Sequence, residues 1–451
     1  MISKSKQFIY SSMVFTFPVA GVPIFVYILP FYASNYNLGL SLVGFVFFAG
    51  RMIDVFTDPI MGALVDKFPS KWGKHKHWII LSLPVLFLSM YFLFLPPEKS
   101  ISGWYLFVCL FFLYTGFTLS GIAQLSWASF IAPNYDDRTR LLTFREFFSL
   151  VSTLCVISIP AIIEIFGGDF ESKINAIGIF GLIGIPITII FGVTLLPDKK
   201  KTVSSPNPFA SYKRFLSNKS LNILVLASVL IAFGQSFTGG LYLMLIDAVL
   251  ELEAFASRAI LINFIFAIIG LFFWRYLGIK LSKHKSAAYC CFYASLALFL
   301  QFLLIYALLE SPASIKILGF FPMVAIVGFA FSGAAPLINS MVADLSDQDE
   351  FEEQTNQSGS MYAYLTTITK IGFTFAIAAP YIFLENVLGF DITLGSLNSD
   401  TSITGLFYMY HFLPIVCNLV AGFVLLQYTL KRSQHEIIRN KLHSKNYDRS
   451  N

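Results

Sequence analysis

The stretch GRMIDVFTDPIMGALVDK, residues 50–67, carries three charged side chains, Arg51, Asp54 and Asp58, within one of the most apolar parts of the chain. At about 100° per residue, a helix holds the two aspartates roughly 40° apart, with Arg51 between them and one turn earlier. Two carboxylates one turn apart offer oxygen ligands for a small hard cation, or a site of raised proton affinity. Thr57 could add a hydroxyl ligand. This polar stripe therefore predicts a site for Na⁺ or H⁺, the alternative being an ion pair that only holds helices together.

The elements that carry these residues are predicted to cross a membrane. The chain has 451 residues, of which 56% are hydrophobic and 13% charged, and its mean hydropathy is +0.71. Apolar runs of about 20 residues or more are long enough to span the hydrocarbon core as helices. Twelve such runs are predicted, at 7–32, 38–64, 77–96, 102–130, 144–166, 174–196, 220–247, 256–279, 287–309, 315–343, 358–385 and 405–430.

The distribution of basic residues predicts the orientation of the chain. Most lysines and arginines fall on the side of the N-terminus, which places both termini in the cytoplasm of a cell whose inner membrane the chain spans. A polar stretch near the middle divides the spans six and six, as in secondary transporters built from two halves. The expected organisation is an N-terminal half, a cytoplasmic linker, a C-terminal half and a cytoplasmic tail, at 1–196, 197–219, 220–430 and 431–451.

Other polar segments have less specific interpretations. Residues 343–357 are acidic and contain no basic residue, and they are expected to form a solvated loop, or alternatively a gate or docking surface. The run DDRTR, residues 136–140, is expected to be a solvated turn. Lys370 lies midway along an apolar span, with Tyr362 and Thr366 on the same helical face. A lysine at that depth is expected to pair with a carboxylate on another helix, for which Asp54 or Asp58 is our candidate.

The sequence also excludes several classes of function. The Gly-Lys pair at residues 73–74 lacks the preceding glycine of a phosphate-binding loop, so an ATP-driven engine is not expected. The five cysteines form no CxxC motif and are interpreted as buried apolar residues. The net charge of +5 follows membrane topology and does not indicate nucleic-acid binding. We expect a monomeric membrane protein with a small-molecule substrate, without a cofactor and without enzymatic activity.

Three segments resemble one known family. They are GRMIDVFTDPIMGALVDKFPSKWGKHKHWII, SFIAPNYDDRTRLLTFREFF, and ADLSDQDEFEEQ together with the later ITKIG. These segments resemble the glycoside-pentoside-hexuronide:cation symporters, a branch of the major facilitator superfamily whose best-known member is the bacterial melibiose carrier. The first segment is also similar to the superfamily's loop motif, with Gly62, Asp66, Lys71 and Gly73 in matching places. The resemblance implies an all-α membrane protein with twelve transmembrane helices in two six-helix halves.

The resemblance implies roles for particular residues. A Na⁺, Li⁺ or H⁺ site is implied at Asp54 and Asp58, with contributions from Thr57 and Ser120. Lys370 matches a lysine of the eleventh span that lies near that site, and Arg51 is a second charge partner. The positions implicated in sugar binding and gating are matched by Trp127 and Arg145, and Gln124, Tyr362 and Thr366 are further substrate-site candidates.

The sequence departs from the sugar-transporting relatives where those proteins recognise the sugar. Their two sugar-binding carboxylates align with Pro18 and Ala123, so both acceptors are missing. Gln124 is adjacent to Ala123 but lies 100° further round the helix, and it is no obvious replacement. Distant eukaryotic relatives carry lysophospholipids. The expected function is therefore cation-coupled symport of a small organic solute, a sugar or glycoside by family, with transport of an amphipathic or lysolipid substrate, or uncoupled facilitation, as alternatives.

Overall fold

The computed structural model describes residues 3–430, 434 and 437–438, apart from residues 16, 69, 98–100, 133–134, 199–214 and 354–357. Fourteen α-helices of seven or more residues lie in this part of the chain: α1 (Lys4–Ser12), α2 (Leu29–Asn35), α3 (Leu40–Lys67), α4 (Lys76–Phe94), α5 (Gly103–Ile131), α6 (Tyr135–Ile165), α7 (Phe170–Leu195), α8 (Lys219–Met244), α9 (Ala256–Lys280), α10 (Lys283–Leu308), α11 (Ala313–Phe331), α12 (Ala334–Glu353), α13 (Ser358–Asn386) and α14 (Asp400–Leu426).

The predicted number of membrane spans is confirmed. Twelve helical segments of the described chain are long and apolar enough to cross a membrane, beginning with Lys4–Asn35 and ending with Asp400–Leu426. Their bounds differ from the predicted runs by only a few residues at most ends, because a long apolar run has few ways to satisfy its backbone in lipid other than as a helix. Residues 199–214 of the predicted linker and most of the predicted tail lie outside the described residues.

The first and tenth spans are broken, which the apolar pattern did not predict. Span 1 consists of α1, a 3₁₀ turn (Phe17–Ala20), a π-helical turn (Ile24–Ile28) and α2. Pro18 and Pro23 lie in this region, and proline removes a backbone donor and disfavours a continuous helix. In span 10, α11 ends at Phe331 and α12 begins at Ala334, two residues before Pro336.

Two polar segments that were predicted as a loop and a turn are helical. Helix α12 continues through the acidic segment to Glu353, so the loop prediction for residues 343–353 is wrong, and residues 354–357 lie outside the described part. Helix α6 begins at Tyr135, so residues 136–140 form its first turns and are not a solvated turn. Neither segment contains glycine or proline, which would interrupt a helix, and Asp137 near the N-terminus of α6 also interacts favourably with the dipole of that helix. A polar run thus extended each helix beyond its apolar part.

The chain forms two compact units. The first contains Met1–Pro206, Gly239–Leu261 and Ile377–Leu406, and the second contains Asn207–Thr238, Ile262–Ala376 and Phe407–Asn451. In the first unit, α3 packs against α5, α5 packs against α4, and α4 packs against α7. In the second unit, α10 packs against α11 and α12 around a cluster that includes Trp274, Cys290 and Met341. The predicted boundaries of the two halves at residues 196 and 220 stay a prediction.

Candidate functional site

The polar stripe of α3 faces α5. Helix α3 packs along α5 in the first compact unit, and the side chain of Asp54 is almost completely buried, with 4% of its surface exposed. Arg51 and Asp58 are half-buried on the same stripe. The helical spacing seen in the sequence therefore brings the three charges together, and the neighbouring groups on α5 determine what they contact.

A threonine of α5 joins the two aspartates. The Thr118 hydroxyl oxygen lies 2.8 Å from Oδ1 of Asp54 and 3.0 Å from Oδ1 of Asp58. A hydroxyl has one proton, so it can donate to only one of these carboxylates at a time. At the other carboxylate, the Thr118 oxygen and the Oδ1 oxygen face each other with no shared proton between them. Protonation of the carboxylate, or a cation among the three oxygens, would relieve the resulting repulsion.

Arg51 supplies positive charge at one end of this site. Its Nη1 donates to Oδ2 of Asp54 over 3.3 Å, and its guanidinium carbon lies 4.0 Å from the centre of the Tyr114 ring. The cation–π contact holds the guanidinium beside the oxygen of Asp54 that Thr118 does not contact. The arginine thus leaves Oδ1 of Asp54 to accept from the Thr118 hydroxyl.

The two hydroxyl ligands expected from the sequence, Thr57 and Ser120, do not occupy the bridging position of Thr118. The Thr57 hydroxyl donates to the backbone oxygen of Asp54 over 3.2 Å, within its own helix. Ser120 is buried on α5, but it is two residues beyond Thr118 and therefore about 200° further round the helix. Their roles as cation ligands stay predictions, whereas the observed bridging hydroxyl belongs to Thr118.

Sequence reasoning missed Thr118 and its neighbour Tyr114. The available signal was their spacing, since two polar side chains four residues apart in an apolar span occupy one helical face. That spacing does not reveal which face of α5 meets α3. The three oxygens of Asp54, Asp58 and Thr118 thus became recognisable as a group only once both helices were in place.

The site formed by the oxygens of Asp54, Asp58 and Thr118 differs from a typical transition-metal site. Within the described residues, no group of three or more His, Cys, Asp and Glu side chains is arranged to hold a metal ion. Two carboxylates and a hydroxyl provide only hard oxygen ligands, which suit a small hard cation or a proton.

Gln124 and Arg145 form a second polar cluster with Tyr10. The Gln124 side chain is fully buried, donates to the backbone oxygen of Tyr10 over 3.3 Å and accepts from Nε of Arg145 over 3.4 Å. The Tyr10 hydroxyl donates to the backbone oxygen of Gln124 over 2.7 Å. These bonds connect α1, α5 and α6. The substrate-binding roles predicted for Gln124 and Arg145 stay predictions.

Trp127 lies in a buried cluster around the N-terminus of α4. Its indole Nε1 donates to the backbone oxygen of Pro197 over 3.0 Å, and its ring stacks on His75. The Asp198 carboxylate accepts from the backbone N–H groups of His75 and Lys76 over 2.7 and 3.1 Å and bonds the His75 ring over 3.0 Å. Burial alone would raise the pKa of Asp198, but the bonds from His75 and Lys76 outweigh burial and lower it.

Gly73 explains how Asp198 reaches that helix end. Gly73 has φ +122°, and a Cβ atom there would lie 2.3 Å from Oδ2 of Asp198. Only glycine combines this backbone conformation with the space that the carboxylate occupies. The glycine of the loop motif thus permits Asp198 to cap α4, and Trp127 packs on the same loop.

Lys370, Tyr362 and Thr366 belong to the second compact unit. All three lie on α13, where the Tyr362 hydroxyl donates to the backbone oxygen of Asn339 over 2.8 Å and the Thr366 hydroxyl donates to that of Tyr362 over 2.9 Å. Lys370 is half-buried. The expected pairing of Lys370 with Asp54 or Asp58 stays a prediction.

Comparison with known proteins identifies the family. A model described as "MFS/sugar transport protein" matches residues 9–432. The chain belongs to this family. The sequence resemblance to glycoside-pentoside-hexuronide:cation symporters is thereby confirmed at the level of the family, and so is the multi-pass membrane architecture.

Relatives within and beyond bacteria agree with this assignment. The chain is 21% identical over 351 residues to the Escherichia coli K12 protein named "Putative glycoside/cation symporter YagG", covering 76% of this chain and 74% of that protein. It is 29% identical over 129 residues to the "Sodium-dependent lysophosphatidylcholine symporter 1" of Gallus gallus, covering 28% of this chain and 22% of that protein. Both relatives are named as symporters, which is consistent with a non-enzymatic role.

Solved structures show the same fold. A crystal structure of a bacterial homolog of the human lysosomal transporter Spinster superposes with a TM-score of 0.66 at 13% identity, covering 95% of this chain and all of that one. The expectation of a twelve-helix major facilitator fold is thereby confirmed. Fold and family together make this chain a membrane transporter.

Proposed function

We propose that this family member is a cation-coupled symporter whose coupling ion binds between Asp54, Asp58 and Thr118. The observation that carries the proposal is the single hydroxyl that contacts both carboxylates at 2.8 and 3.0 Å. Na⁺ or H⁺ would be held by exchangeable oxygen ligands in a low-dielectric setting, where binding and release change the local charge by one.

Coupling would arise because the ion and the substrate favour the same conformation. An ion that neutralises part of the carboxylate charge stabilises the conformation in which the carboxylates approach one another. A substrate that binds this conformation more tightly then raises the affinity for the ion. By linkage, the ion raises the affinity for the substrate by the same factor. Alternating access between two sides of a cell membrane, with both termini in the cytoplasm, would turn this linkage into uphill transport.

For the substrate we propose a small glycoside or related solute. The support is the family and the name of the Escherichia coli relative. A lysolipid is the second candidate, supported by the local match to the lysophosphatidylcholine symporter and by Pro18 and Ala123, which replace the sugar-binding carboxylates. An uncoupled facilitator would share the fold but would lack ion dependence.

Uptake into proteoliposomes tests both parts of the proposal. Labelled glycosides and lysolipids are supplied with an inward gradient of Na⁺, Li⁺ or H⁺, one at a time. We expect accumulation of one substrate class with one ion, and loss of accumulation in Asp58→Asn, while downhill exchange of substrate persists. Thr57→Val is the matched control, because that hydroxyl bonds its own helix backbone. Uphill uptake by Asp58→Asn would contradict the coupling role.

A further inference from the structure

Two glutamates occupy equivalent places in the two sets of six spans. Glu164 is the penultimate residue of α6, the fifth span, and Glu385 is the penultimate residue of α13, the eleventh span. Each carboxylate reaches the second residue of another helix: Ser257 of α9, the eighth span, and Ser41 of α3, the second span. The fifth and eleventh spans, and the second and eighth, are each six apart. The two contacts therefore join spans at corresponding positions in the two sets of six.

The contact at Glu164 is the more extensive. Its Oε2 accepts from the backbone N–H of Ser257 and from Nζ of Lys173, both over 2.9 Å. Its Oε1 accepts from the backbone N–H and from Nε of Arg258, over 3.2 and 3.1 Å. Only 7% of Glu164 is exposed. A buried carboxylate with two cationic partners and two amides at a helix N-terminus is strongly stabilised in this arrangement.

The contact at Glu385 repeats the capping with different partners. Its Oε2 accepts a short hydrogen bond from the backbone N–H of Ser41, and the neighbouring Asn386 donates to the Ser41 hydroxyl over 2.8 Å. Gly39 precedes α3 and provides no side-chain cap. A Cβ atom at Gly39 would lie 2.5 Å from Oε1 of Glu385, so the glycine leaves room for the carboxylate. Glu385 thus supplies the cap that α3 lacks in its own sequence.

We infer that Glu164 and Glu385 form a paired latch on the side of the membrane opposite the N-terminus. Odd-numbered spans end, and even-numbered spans begin, on that side. All of these residues lie in the first compact unit, which combines parts of both sequence halves. Each glutamate joins a helix from one sequence half to the N-terminus of a helix from the other. Opening of that side during transport then requires both carboxylates to leave their helix ends.

The inference rests on the proposed transport function, but its test needs neither the ion nor the substrate. Spin labels are placed at Phe166 and Ala254, across the Glu164 contact, and in a second sample at Asn35 and Val387, across the Glu385 contact. The labels are introduced in a variant of the 451-residue chain in which all five cysteines have been replaced. Pulsed electron–electron double resonance in lipid nanodiscs then measures the distribution of distances between the two labels across each contact.

We expect one short distance to dominate in the unmodified chain. In the double variant Glu164→Gln/Glu385→Gln, we expect the ratio of the long-distance to the short-distance population to rise about tenfold, because charge-assisted hydrogen bonds are lost. Glu171→Gln removes an exposed carboxylate from the first turn of α7 and is the matched control. Unchanged distances in the double variant, or the same shift in Glu171→Gln, would overturn the latch.

Two further variants keep the test decisive. If Glu164→Gln does not fold, Glu385→Gln and the charge-conserving Glu164→Asp are measured singly, and a longer distance across the contact in Glu385→Gln alone is then the expected result. A shift in distances without any uptake by the unmodified protein would refute the proposed transport function and leave the latch standing. Uptake by the unmodified protein, together with unchanged distances in the variants, would refute the latch and leave the proposed transport function standing.

Discussion

Two acidic sites of the first compact unit, at Glu164 and at Asp54 with Asp58, differ in the kind of partner that surrounds the carboxylates. Glu164 meets nitrogen donors, namely Lys173, Arg258 and two backbone N–H groups. Asp54 has one nitrogen donor, Arg51, at its Oδ2, but Oδ1 of Asp54 and Oδ1 of Asp58 both lie against the Thr118 hydroxyl. A carboxylate held by fixed nitrogen donors stabilises one conformation, whereas oxygens that converge on one point can exchange a proton or a cation. Similar burial, 7% for Glu164 and 4% for Asp54, therefore serves two purposes.

The largest expected effect separates these two sites by stability. Glu164→Gln removes the charge that compensates Lys173 and Arg258, and loss of one partner of a buried ion pair costs about 3 kcal/mol. Asp58→Asn removes one of two neighbouring negative charges, and the lost repulsion offsets part of what its contacts contribute, so it should cost much less stability than Glu164→Gln. Thermal unfolding in detergent should show a lower midpoint for Glu164→Gln than for Asp58→Asn. Equal destabilisation by both variants would remove the distinction between the sites.

A smaller effect sharpens the description of the oxygen site. Thr118→Val keeps the shape of the side chain but removes the hydroxyl between the carboxylates, and we expect about a tenfold loss of cation affinity, near 1.4 kcal/mol. Ser120→Ala, on the opposite face of α5, should change the affinity by less than about twofold. Titration of uptake rate against ion concentration measures both. A larger effect at Ser120 would favour the ligand that the family resemblance implies.

The smallest expected effect concerns Asp198, a carboxylate that caps α4 and bonds the His75 ring. Because its folded-state pKa is lowered, its stabilising contribution is present above the unfolded pKa, near 4, and is lost as the pH falls through the folded pKa. Asp198→Asn should cost about 1 kcal/mol near neutral pH, as for loss of a helix cap. The difference in unfolding midpoint between the two proteins should shrink in acid. A difference that is constant down to pH 3 would contradict this assignment.

The sequence predicted the membrane architecture better than the site. Hydropathy was sufficient for the twelve spans, because a backbone in lipid must satisfy its hydrogen bonds within a helix. Helical spacing was sufficient to group Arg51, Asp54 and Asp58 on one stripe of α3. The breaks at Pro23 and before Pro336 were missed, since the apolar pattern continues through them. The extension of α12 into the acidic segment was missed as well.

The remaining features depend on how helices pack, which one sequence does not reveal. Thr118 is a ligand candidate because α5 presents that face to α3, and Ser120 is only two residues away on another face. Asp198 reaches the N-terminus of α4 across more than a hundred residues of chain, through space that Gly73 leaves open. Periodicity predicts the face of one helix but not its partner.

Ion binding to the purified protein tests the central claim most directly. Isothermal titration with Na⁺ and Li⁺, and proton uptake measured with a pH indicator, are compared for the unmodified chain, Asp58→Asn and Thr57→Val. We predict saturable binding of one of these ions by the unmodified chain and by Thr57→Val, and none by Asp58→Asn. Binding by Asp58→Asn equal to that of the unmodified chain would contradict an ion site between Asp54, Asp58 and Thr118.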